Sequence, residues 1–319
     1  MNQLQESQSD QTASRTTPTR SRTILVSGSS GLVGRALRRG LAARNRPSTR
    51  LVRSQNAGSD VTWDPSRGLI DGDAIDSDAV VHLAGESIAE GRWSKRKMLA
   101  IRSSRVLGTR LLAETLAALP KPPSVLVSAS AIGFYGDSGD EVLRESSRTG
   151  TGFLAEVCDE WERATEPAKA AGIRVVNLRL GIVLAREGGA LKKMLLPFKL
   201  GAGGRIGSGQ QFMSWIHIDD LVSVICRAID DENLSGPVNA VAPSPVRNRE
   251  FTRALAKQLR RPAIAPMPAL VARILFGRMA NELLLASAQV QPAALLTQGF
   301  EFEYPKLESA LEALLGQDS

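Results

Sequence analysis

The fold of this 319-residue chain is indicated by one stretch of its sequence, Thr23-Ile24-Leu25-Val26-Ser27-Gly28-Ser29-Ser30-Gly31-Leu32-Val33-Gly34. Its first residues form a short aliphatic and β-branched run, which predicts a buried strand. Three glycines follow at the spacing GxxGxxG, and apolar residues then continue at helical intervals to about residue 43. Glycines at such a turn let the backbone approach a pyrophosphate, whose charge rests on the free amide groups at the helix start. The stretch predicts a dinucleotide-binding strand, loop and helix, and a simple strand-to-helix turn is the alternative.

Strand and helix patterns alternate beyond this stretch. Further strands are predicted at residues 50–53, 61–63, 79–83, 125–129 and 174–180, and helices at 95–119 and 152–171. This alternation predicts an α/β fold of the Rossmann type, a doubly wound parallel sheet with right-handed crossovers and helices on both faces. Ligands of such sheets bind at the carboxyl ends of the strands.

The pattern changes after residue 187, where the chain becomes rich in glycine. We expect a Rossmann domain over residues 23–187, to which residues 211–241 return with a helix at 219–229 that Asp219 or Asp220 caps. Residues 188–210 and 242–319 are expected to form a smaller, mostly helical C-terminal lobe that binds the substrate. Residues 1–22 carry almost no large apolar side chain, so a disordered tail is predicted.

Composition narrows the class of protein. With 43% hydrophobic and 23% charged residues, the chain has the make-up of an ordinary globular protein. Two cysteines and two histidines, Cys158, Cys226, His82 and His217, form no ligand cluster in the sequence, so no metal site is expected and a reducing compartment is favoured. No apolar run reaches the ~20 residues that a membrane-spanning helix needs. Residues 1–22 have no apolar core of the kind a secretory signal has, so no secretory leader is expected. We therefore expect a cytoplasmic protein without a membrane partner.

The residues after the second predicted strand bear on the choice of cofactor. An Asp or Glu there usually binds the free 2′-hydroxyl of NAD, but no acidic residue lies between Asp10 and Asp60. Arg53 and Ser54 stand at that position instead, and Arg35 follows the last glycine of the loop. Because a guanidinium can pair with a 2′-phosphate, NADP is favoured over NAD. A solvated strand end is the alternative for Arg53, and an exposed helix residue is the alternative for Arg35.

Several longer strings carry a resemblance to a known family. They are DAVVHLAGESI at 78–88, GRW at 91–93, SSRVLGT at 103–109, SASAIGFYG at 128–136 and GSGQQFMSWIHIDD at 207–220. With the glycine spacing, they make residues 23 to about 315 resemble the extended and atypical short-chain dehydrogenase/reductases. The chain is most similar to the nucleotide-sugar-epimerase-like branch called epimerase family proteins, which ends in a small C-terminal domain of unknown function.

The resemblance implies an NADP-binding Rossmann domain and a C-terminal lobe that closes over the nicotinamide end. Leu83, Ala84 and Gly85 should line the adenosine and ribose side, Arg105 should face the cofactor, and Val183 should lie near the nicotinamide. A turn, a helix-surface charge and a core position are the respective alternatives. The full set of candidate cofactor-binding residues is Gly28, Ser30, Gly31, Leu32, Val33, Gly34, Arg53, Ser54, Leu83, Ala84, Gly85, Glu86, Arg105, Ser128, Ala129 and Val183.

The acid and base of the active family members are missing. Those members use a tyrosine with a lysine four residues later, because the lysine helps bring the phenol pKa toward neutrality. Here Tyr135 is followed at that distance by Gly139, and Tyr304 by Glu308. Ser130, which could polarise a substrate carbonyl, and Tyr135, a non-standard acid, remain the candidate catalytic residues. A packed ring at the strand exit is the alternative for Tyr135.

Two functions fit this pattern. The first is an NADP-dependent, epimerase-like oxidoreductase acting on a small or nucleotide-linked carbonyl or sugar. The second is a catalytically idle NADP-binding regulatory module of the kind associated with cell division. The net charge of +7 points mainly to a phosphorylated dinucleotide, and Lys192, Lys193 and Arg205 could reach a phosphorylated substrate. Nucleic acid is not expected as a partner because aromatic residues are only 4% of the chain, and the oligomeric state stays open.

Overall fold

A computed structural model describes residues 23–53 and 60–316. The strands are β1 (Ile24–Ser27), β2 (Ser48–Val52), β3 (Val61–Asp64), β4 (Leu69–Ile70), β5 (Ala79–His82), β6 (Val125–Ala131), β7 (Val142–Leu143), β8 (Arg174–Leu180), β9 (Ile182–Ala185), β10 (Phe212–Met213), β11 (Trp215–His217), β12 (Gly236–Ala240), β13 (Val246–Arg247) and β14 (Gln289–Val290). The helices are α1 (Leu32–Ala43), α2 (Lys95–Ala118), α3 (Phe153–Arg163), α4 (Glu166–Ala170), α5 (Gly189–Lys199), α6 (Ile218–Asp230), α7 (Asn248–Gln258), α8 (Ala269–Phe276), α9 (Ala293–Thr297) and α10 (Leu307–Leu315). A 3₁₀ turn at Ile132–Tyr135 and a π-helical turn at Ala280–Leu285 complete the described elements.

The main sheet has eight strands in the order β12-β8-β6-β5-β1-β2-β3-β4. Neighbouring strands are parallel except for the edge pair β3 and β4. The chain runs outward from β1 in both directions, so the strand order reverses between β1 and β5. This arrangement confirms the predicted doubly wound Rossmann fold, and it places the ligand crevice at the carboxyl ends of β1 and β5.

Helices cover both faces of the sheet, as the continuous apolar strands predict. Along β1, successive side chains point to opposite faces: Ile24 and Val26 join one buried cluster with residues of α1 and α6, whereas Leu25 joins a second cluster with residues of α2. The two clusters hold β1 rigidly at the centre of the sheet, where the glycine loop begins.

Two local predictions were wrong. The helix predicted over 152–171 is divided into α3 and α4, because Pro167 lacks an amide hydrogen and sits in the first turn of the second helix. The N-cap of α6 is His217 rather than Asp219 or Asp220: its Nδ1 accepts the Asp219 amide at 3.1 Å, and both aspartates lie in the first turn.

The C-terminal part of the chain is helical, as predicted. A third buried cluster joins α7 and α10 to Trp215 and Phe198. No helix among residues 23–53 and 60–316 is long and apolar enough to cross a membrane. The domain boundaries drawn from the sequence stay predictions, and the predicted tail 1–22 lies outside the described residues.

Candidate cofactor and reaction site

The glycine loop is shaped by close backbone contacts. Gly28 has φ +63°, and a Cβ atom there would lie 2.6 Å from the Leu83 carbonyl carbon. At Gly34 a Cβ atom would lie 2.3 Å from the Gly28 carbonyl oxygen. Side chains at these two positions would push the loop away from β5 or from the first turn of α1. The glycines therefore fix a tight turn at the carboxyl edge of the sheet.

The start of α1 is open to a ligand. Its N-cap is Gly31, which has no side chain to bind the amides of the first turn, and that turn holds no acidic residue. Ser30 and Gly31 are exposed, while Gly34 is buried behind them. A helix start with free amides and a positive dipole end suits a pyrophosphate, so the local geometry fits a dinucleotide.

A buried serine connects β1 to the loop after β5. The Ser27 hydroxyl oxygen accepts the amides of Leu83 and Ala84 at 3.1 and 3.3 Å and lies 2.7 Å from His82 Nδ1. Ser27 and His82 therefore share a buried hydrogen bond beneath the two amides. Burial lowers the pKa of His82 to about 4, so the ring stays neutral.

The loop after β5 is fastened to α2 by Arg105. One of its guanidinium nitrogens, Nη1, donates to the Glu86 and Ile101 carbonyls at 3.0 and 3.2 Å, and the guanidinium lies 3.3 Å from where a Gly85 Cβ would be. The Glu86 amide donates to Ser104 Oγ, and the Glu86 carboxylate binds Lys97 Nζ at 2.6 Å. The structure thus brings Gly85, Glu86 and Arg105 together, with Arg105 shaping the loop.

Arg53 lies at the same edge of the sheet as the glycine loop. β1 and β2 are in parallel register with Ser27 opposite Leu51, so Arg53 follows β2 beside the turn at Gly28. The Arg53 side chain is exposed. Ser54, predicted with it, lies outside the described residues.

The nearest acid after β2 is already neutralised. Asp60 forms an ion pair with Arg50 and accepts the Arg50 amide at 3.2 Å. Its hydrogen bond with Arg50 lowers the pKa of Asp60 below its usual range. Arg35, in contrast, turns its guanidinium back onto the Ser30 carbonyl of the loop. Arg53 is therefore the cation in the better position to meet a 2′-phosphate.

Val183 lies across the crevice from the first turn of α1. A Cβ atom at Gly189 would lie 3.1 Å from Leu32 Cδ2 and 3.4 Å from the Val183 carbonyl oxygen. Leu32, Val33, Leu83 and Val183 are all partly buried against the first core cluster. The structure brings these four predicted residues to one end of the sheet.

The predicted serines of β6 differ in their surroundings. Ser128 is buried, is paired in register with His82, and its hydroxyl lies 3.3 Å from the Ala129 carbonyl. Ser130, two residues closer to the carboxyl edge, donates to Glu162 Oε1 at 2.7 Å. Glu162 is held by Arg179 through two contacts of 2.8 Å. Because a carboxylate paired with arginine only accepts hydrogen bonds, the single Ser130 proton is already used.

Tyr135 sits in the packed position that was the alternative to a catalytic role. The residue is 1% exposed, and its hydroxyl accepts from Arg179 Nη1 at 2.9 Å and lies 2.7 Å from Asn239 Oδ1. Burial raises the pKa of the Tyr135 phenol, the direction opposite to the one that proton exchange near neutrality requires. Its catalytic role stays a prediction.

Two cavities lie where the C-terminal part meets the start of α3. The larger, about 370 Å³, is lined by Lys95, Met98, Leu99, Arg102, Phe153, Glu156 and Arg278. The smaller, about 180 Å³, is lined by Gly133, Gly136, Asp137, Thr151, Leu154, Ala155, Asn281, Glu282 and Ala286. Glu282, which lines the smaller cavity, accepts the Phe153 and Leu154 amides at 3.3 and 2.7 Å. A residue of the π-helical turn thus caps α3, the helix that carries Glu162.

Sequence reasoning missed the ion pair between Glu162 and Arg179. One signal could have indicated it: Arg179 falls inside a strand whose other side chains are mostly apolar, and a charge in such a strand needs a partner. Cys158 is a buried core residue, and burial raises its pKa to about 12.

Comparison with known proteins agrees with this fold. Residues 24–240 match the NAD dependent epimerase/dehydratase family, and residues 267–314 match Domain of unknown function (DUF1731). The chain is 42% identical over 290 residues to the Epimerase family protein Mb2239 of Mycobacterium bovis, covering 90% of this chain and 96% of the relative. The crystal structure of human epimerase family protein SDR39U1 (isoform2) with NADPH superposes with a TM-score of 0.85 at 35% identity, covering 92% of this chain and 99% of that one. A nucleoside-diphosphate sugar epimerase from Corynebacterium glutamicum gives a TM-score of 0.78 at 41% identity, covering 93% of this chain and 58% of that one. The chain belongs to the NAD dependent epimerase/dehydratase family.

Proposed function

We propose that the protein is an NADP-dependent oxidoreductase of the epimerase-like type, acting on a small or nucleotide-linked carbonyl or sugar. The observation that carries the proposal is the turn at Gly28 and Gly34, where the backbone is so close that no Cβ fits and the amides at the start of α1 remain free. The NADPH in the structure of the human relative SDR39U1 supports the same cofactor class.

NADP is the form proposed because the 2′-phosphate end meets arginine. Arg53 is exposed at the end of β2, and Asp60, the next acid, is paired with Arg50. The bound cofactor would supply or accept a hydride. The chain's residues would hold the pyrophosphate at the loop, support the adenosine side with Leu83 to Gly85, and place the nicotinamide end near Val183.

The larger cavity would bind the substrate, and Ser130, which is 1% exposed and lines neither cavity, would have to become accessible to polarise its carbonyl. A cavity of about 370 Å³ suits a small molecule. Two of its cationic side chains, Arg102 and Arg278, are paired with Glu160 and Glu282, so Lys95 is the wall residue that would meet a phosphorylated or nucleotide-linked compound. To polarise a carbonyl, Ser130 must turn its proton away from Glu162. Arg179 then stabilises the released carboxylate, so the exchange leaves no unpaired buried charge.

Calorimetry tests the cofactor proposal. NADPH should bind more tightly than NADH, and Arg53→Ala should remove most of the difference, a loss of about tenfold for one charge-assisted contact. Arg35→Ala is the matched control, because its guanidinium lies on the Ser30 carbonyl. Equal affinity of the unmodified protein for the two cofactors would refute the role of Arg53.

A substrate panel tests the enzymatic part. Oxidation of NADPH should depend on an added carbonyl compound or nucleotide sugar, and Ser130→Ala should abolish it while leaving NADPH binding intact. Persistent silence over the panel with cofactor bound would instead favour the idle NADP-binding regulatory module, because the buried Tyr135 and the Ser130 hydrogen bond to Glu162 fit that function as well.

A further inference from the structure

Helix α8 exposes an apolar face to solvent. Leu270, Val271, Ile274 and Leu275 are 67%, 41%, 63% and 52% exposed. Its inner side is formed by Ala272, which is fully buried, and Phe276, which packs against the cluster around Phe153. On a helical projection the exposed residues form a continuous stripe away from that inner side. A soluble helix usually presents polar residues on such a stripe.

The apolar surface continues from α8 onto the neighbouring segments. Ile264 is 80% exposed, and Leu196 and Leu200, at the end of α5, are 65% and 74% exposed. Backbone contacts join the segment after α5 to the segment before α8. Ile206 forms a parallel bridge with Met267, and the Ala265 amide donates to the Gly203 carbonyl. We call the seven exposed side chains of these segments the apolar patch; they are Leu196, Leu200, Ile264, Leu270, Val271, Ile274 and Leu275.

The positive charge of the chain is concentrated in the two stretches of sequence that contain this patch. Residues 188–218 and 251–281, which contain the whole patch, carry ten basic residues and no acidic one, leaving 30 basic and 33 acidic residues for the rest of the chain. The basic residues are Lys192, Lys193, Lys199, Arg205, Arg253, Lys257, Arg260, Arg261, Arg273 and Arg278.

Of these ten residues, Arg278 pairs with Glu282, and several arginines of the Rossmann part also have acidic partners. Arg39, Arg46 and Arg50 pair with Glu187, Asp230 and Asp60. The excess of +7, assigned from the sequence to the dinucleotide, therefore belongs mainly to the segments that expose the patch.

We propose that the apolar patch and its basic rim form a docking surface for an anionic lipid bilayer. Exposed aliphatic side chains enter the boundary between head groups and acyl chains, while lysines and arginines beside them bind the lipid phosphates. A surface that is apolar and bordered mostly by basic residues matches that partner, whose interior is apolar and whose head groups are anionic. Nucleic acid would match the charge but not the aliphatic side chains. The proposal concerns peripheral binding, does not depend on the proposed oxidoreductase function, and revises the expectation of no membrane partner, which rested on the lack of a spanning helix.

Vesicle flotation of the full-length protein tests the proposal. The protein should float with vesicles of equal parts phosphatidylcholine and phosphatidylglycerol, should not float with phosphatidylcholine alone, and should be released by high salt. The variant Leu270→Ser/Ile274→Ser should lose about tenfold or more in partitioning, because two exposed aliphatic side chains no longer enter the bilayer. Arg260→Gln/Arg261→Gln should weaken binding to the anionic vesicles in the same direction.

Matched controls separate docking from general effects. Leu107→Ser and Arg110→Gln change an exposed leucine and an exposed arginine of α2, away from the patch, and should bind vesicles as the unmodified protein does. NADPH binding and thermal melting report whether each variant folds, and the arginine pair decides the outcome if the serine pair does not fold. Equal flotation with both vesicle types would overturn the proposal. Unchanged vesicle binding in both the serine pair and the glutamine pair would also overturn it. So would self-association in the absence of vesicles that Leu270→Ser/Ile274→Ser abolishes, since the patch would then be an interface between copies of the chain.

Discussion

The proposed cofactor side and the proposed reaction side of the crevice are built in different ways. The cofactor side, formed by Gly28, Gly34 and the backbone of Leu83 and Ala84, depends on the absence of side chains and on contacts between backbones. The reaction side, formed by Ser130, Glu162, Arg179 and Tyr135, depends on buried polar side chains that satisfy one another. The first arrangement depends on glycines close together in the sequence that pack on the backbone after β5. The second joins residues from β6, the 3₁₀ turn, α3 and β8, and we expect it to fail when one member is removed.

Removal of Glu162 should produce the largest effect and would break the reaction side. Glu162→Ala leaves the buried Arg179 guanidinium without its carboxylate, so we expect a loss of about 3–5 kcal/mol in the free energy of unfolding. Arg179 is 4% exposed in its side chain, which leaves little water to replace the lost partner. Chemical denaturation measures the loss.

The matched control for that prediction is an exposed ion pair. Arg39 and Glu187 are 63% and 56% exposed in their side chains and 3.1 Å apart. Glu187→Ala should change the free energy of unfolding by less than about 1 kcal/mol. Similar losses of unfolding free energy in Glu187→Ala and Glu162→Ala would show that the buried pair with Arg179 stabilises the fold no more than an exposed pair does.

The pH dependence of stability tests the buried histidine beneath the cofactor side. The unfolded chain binds a proton at His82 near pH 6.5, but the folded protein does so only near pH 4. Between these values the unfolded state holds more protons, so stability falls as the pH decreases, by up to about 3 kcal/mol from this residue. His82→Gln should flatten the curve of unfolding free energy against pH in that range. A curve of unchanged slope would mean that another group causes the acid sensitivity.

Two glycine-to-alanine substitutions in helices test whether the close contacts of the cofactor side contribute to stability. Gly34→Ala places a Cβ 2.3 Å from the Gly28 carbonyl oxygen, so we expect a loss of about 1–3 kcal/mol in stability and weaker NADPH binding. Gly108→Ala in α2 meets only ordinary contacts, of 3.5 Å and more, and should be neutral or stabilising by up to about 1 kcal/mol. Chemical denaturation measures the stability of both variants, and calorimetry measures their NADPH affinity. Loss in both would mean that the cost arises from the helix rather than from the loop.

The same contrast explains what the sequence could predict. The Rossmann order and the place of the glycine loop followed from patterns within a few residues, such as the apolar run of β1 and the spacing of Gly28, Gly31 and Gly34. The bond between Ser130 and Glu162 could not be predicted, because it depends on the relative rotation of β6 and α3. The division between α3 and α4 was missed because Pro167 was treated as part of one continuous helix. The cap of α6 was assigned to aspartates by residue preference, but the rigid exit of β11 placed His217 there instead.

Glu282 gives the smallest expected effect and links the reaction side to the C-terminal part of the chain. Its carboxylate accepts the first amides of α3, whose N-cap Gly152 has no side chain, so Glu282→Ala should cost about 1 kcal/mol. Ser94→Ala, which removes the cap of α2, is a control of similar cost. The two should differ in hydrogen exchange: the first should accelerate exchange in the first turn of α3 and leave the glycine loop unchanged, whereas the second should affect α2. Faster exchange at Gly28 to Gly34 in Glu282→Ala would show that the two sides of the crevice are coupled, because the cap does not touch the loop.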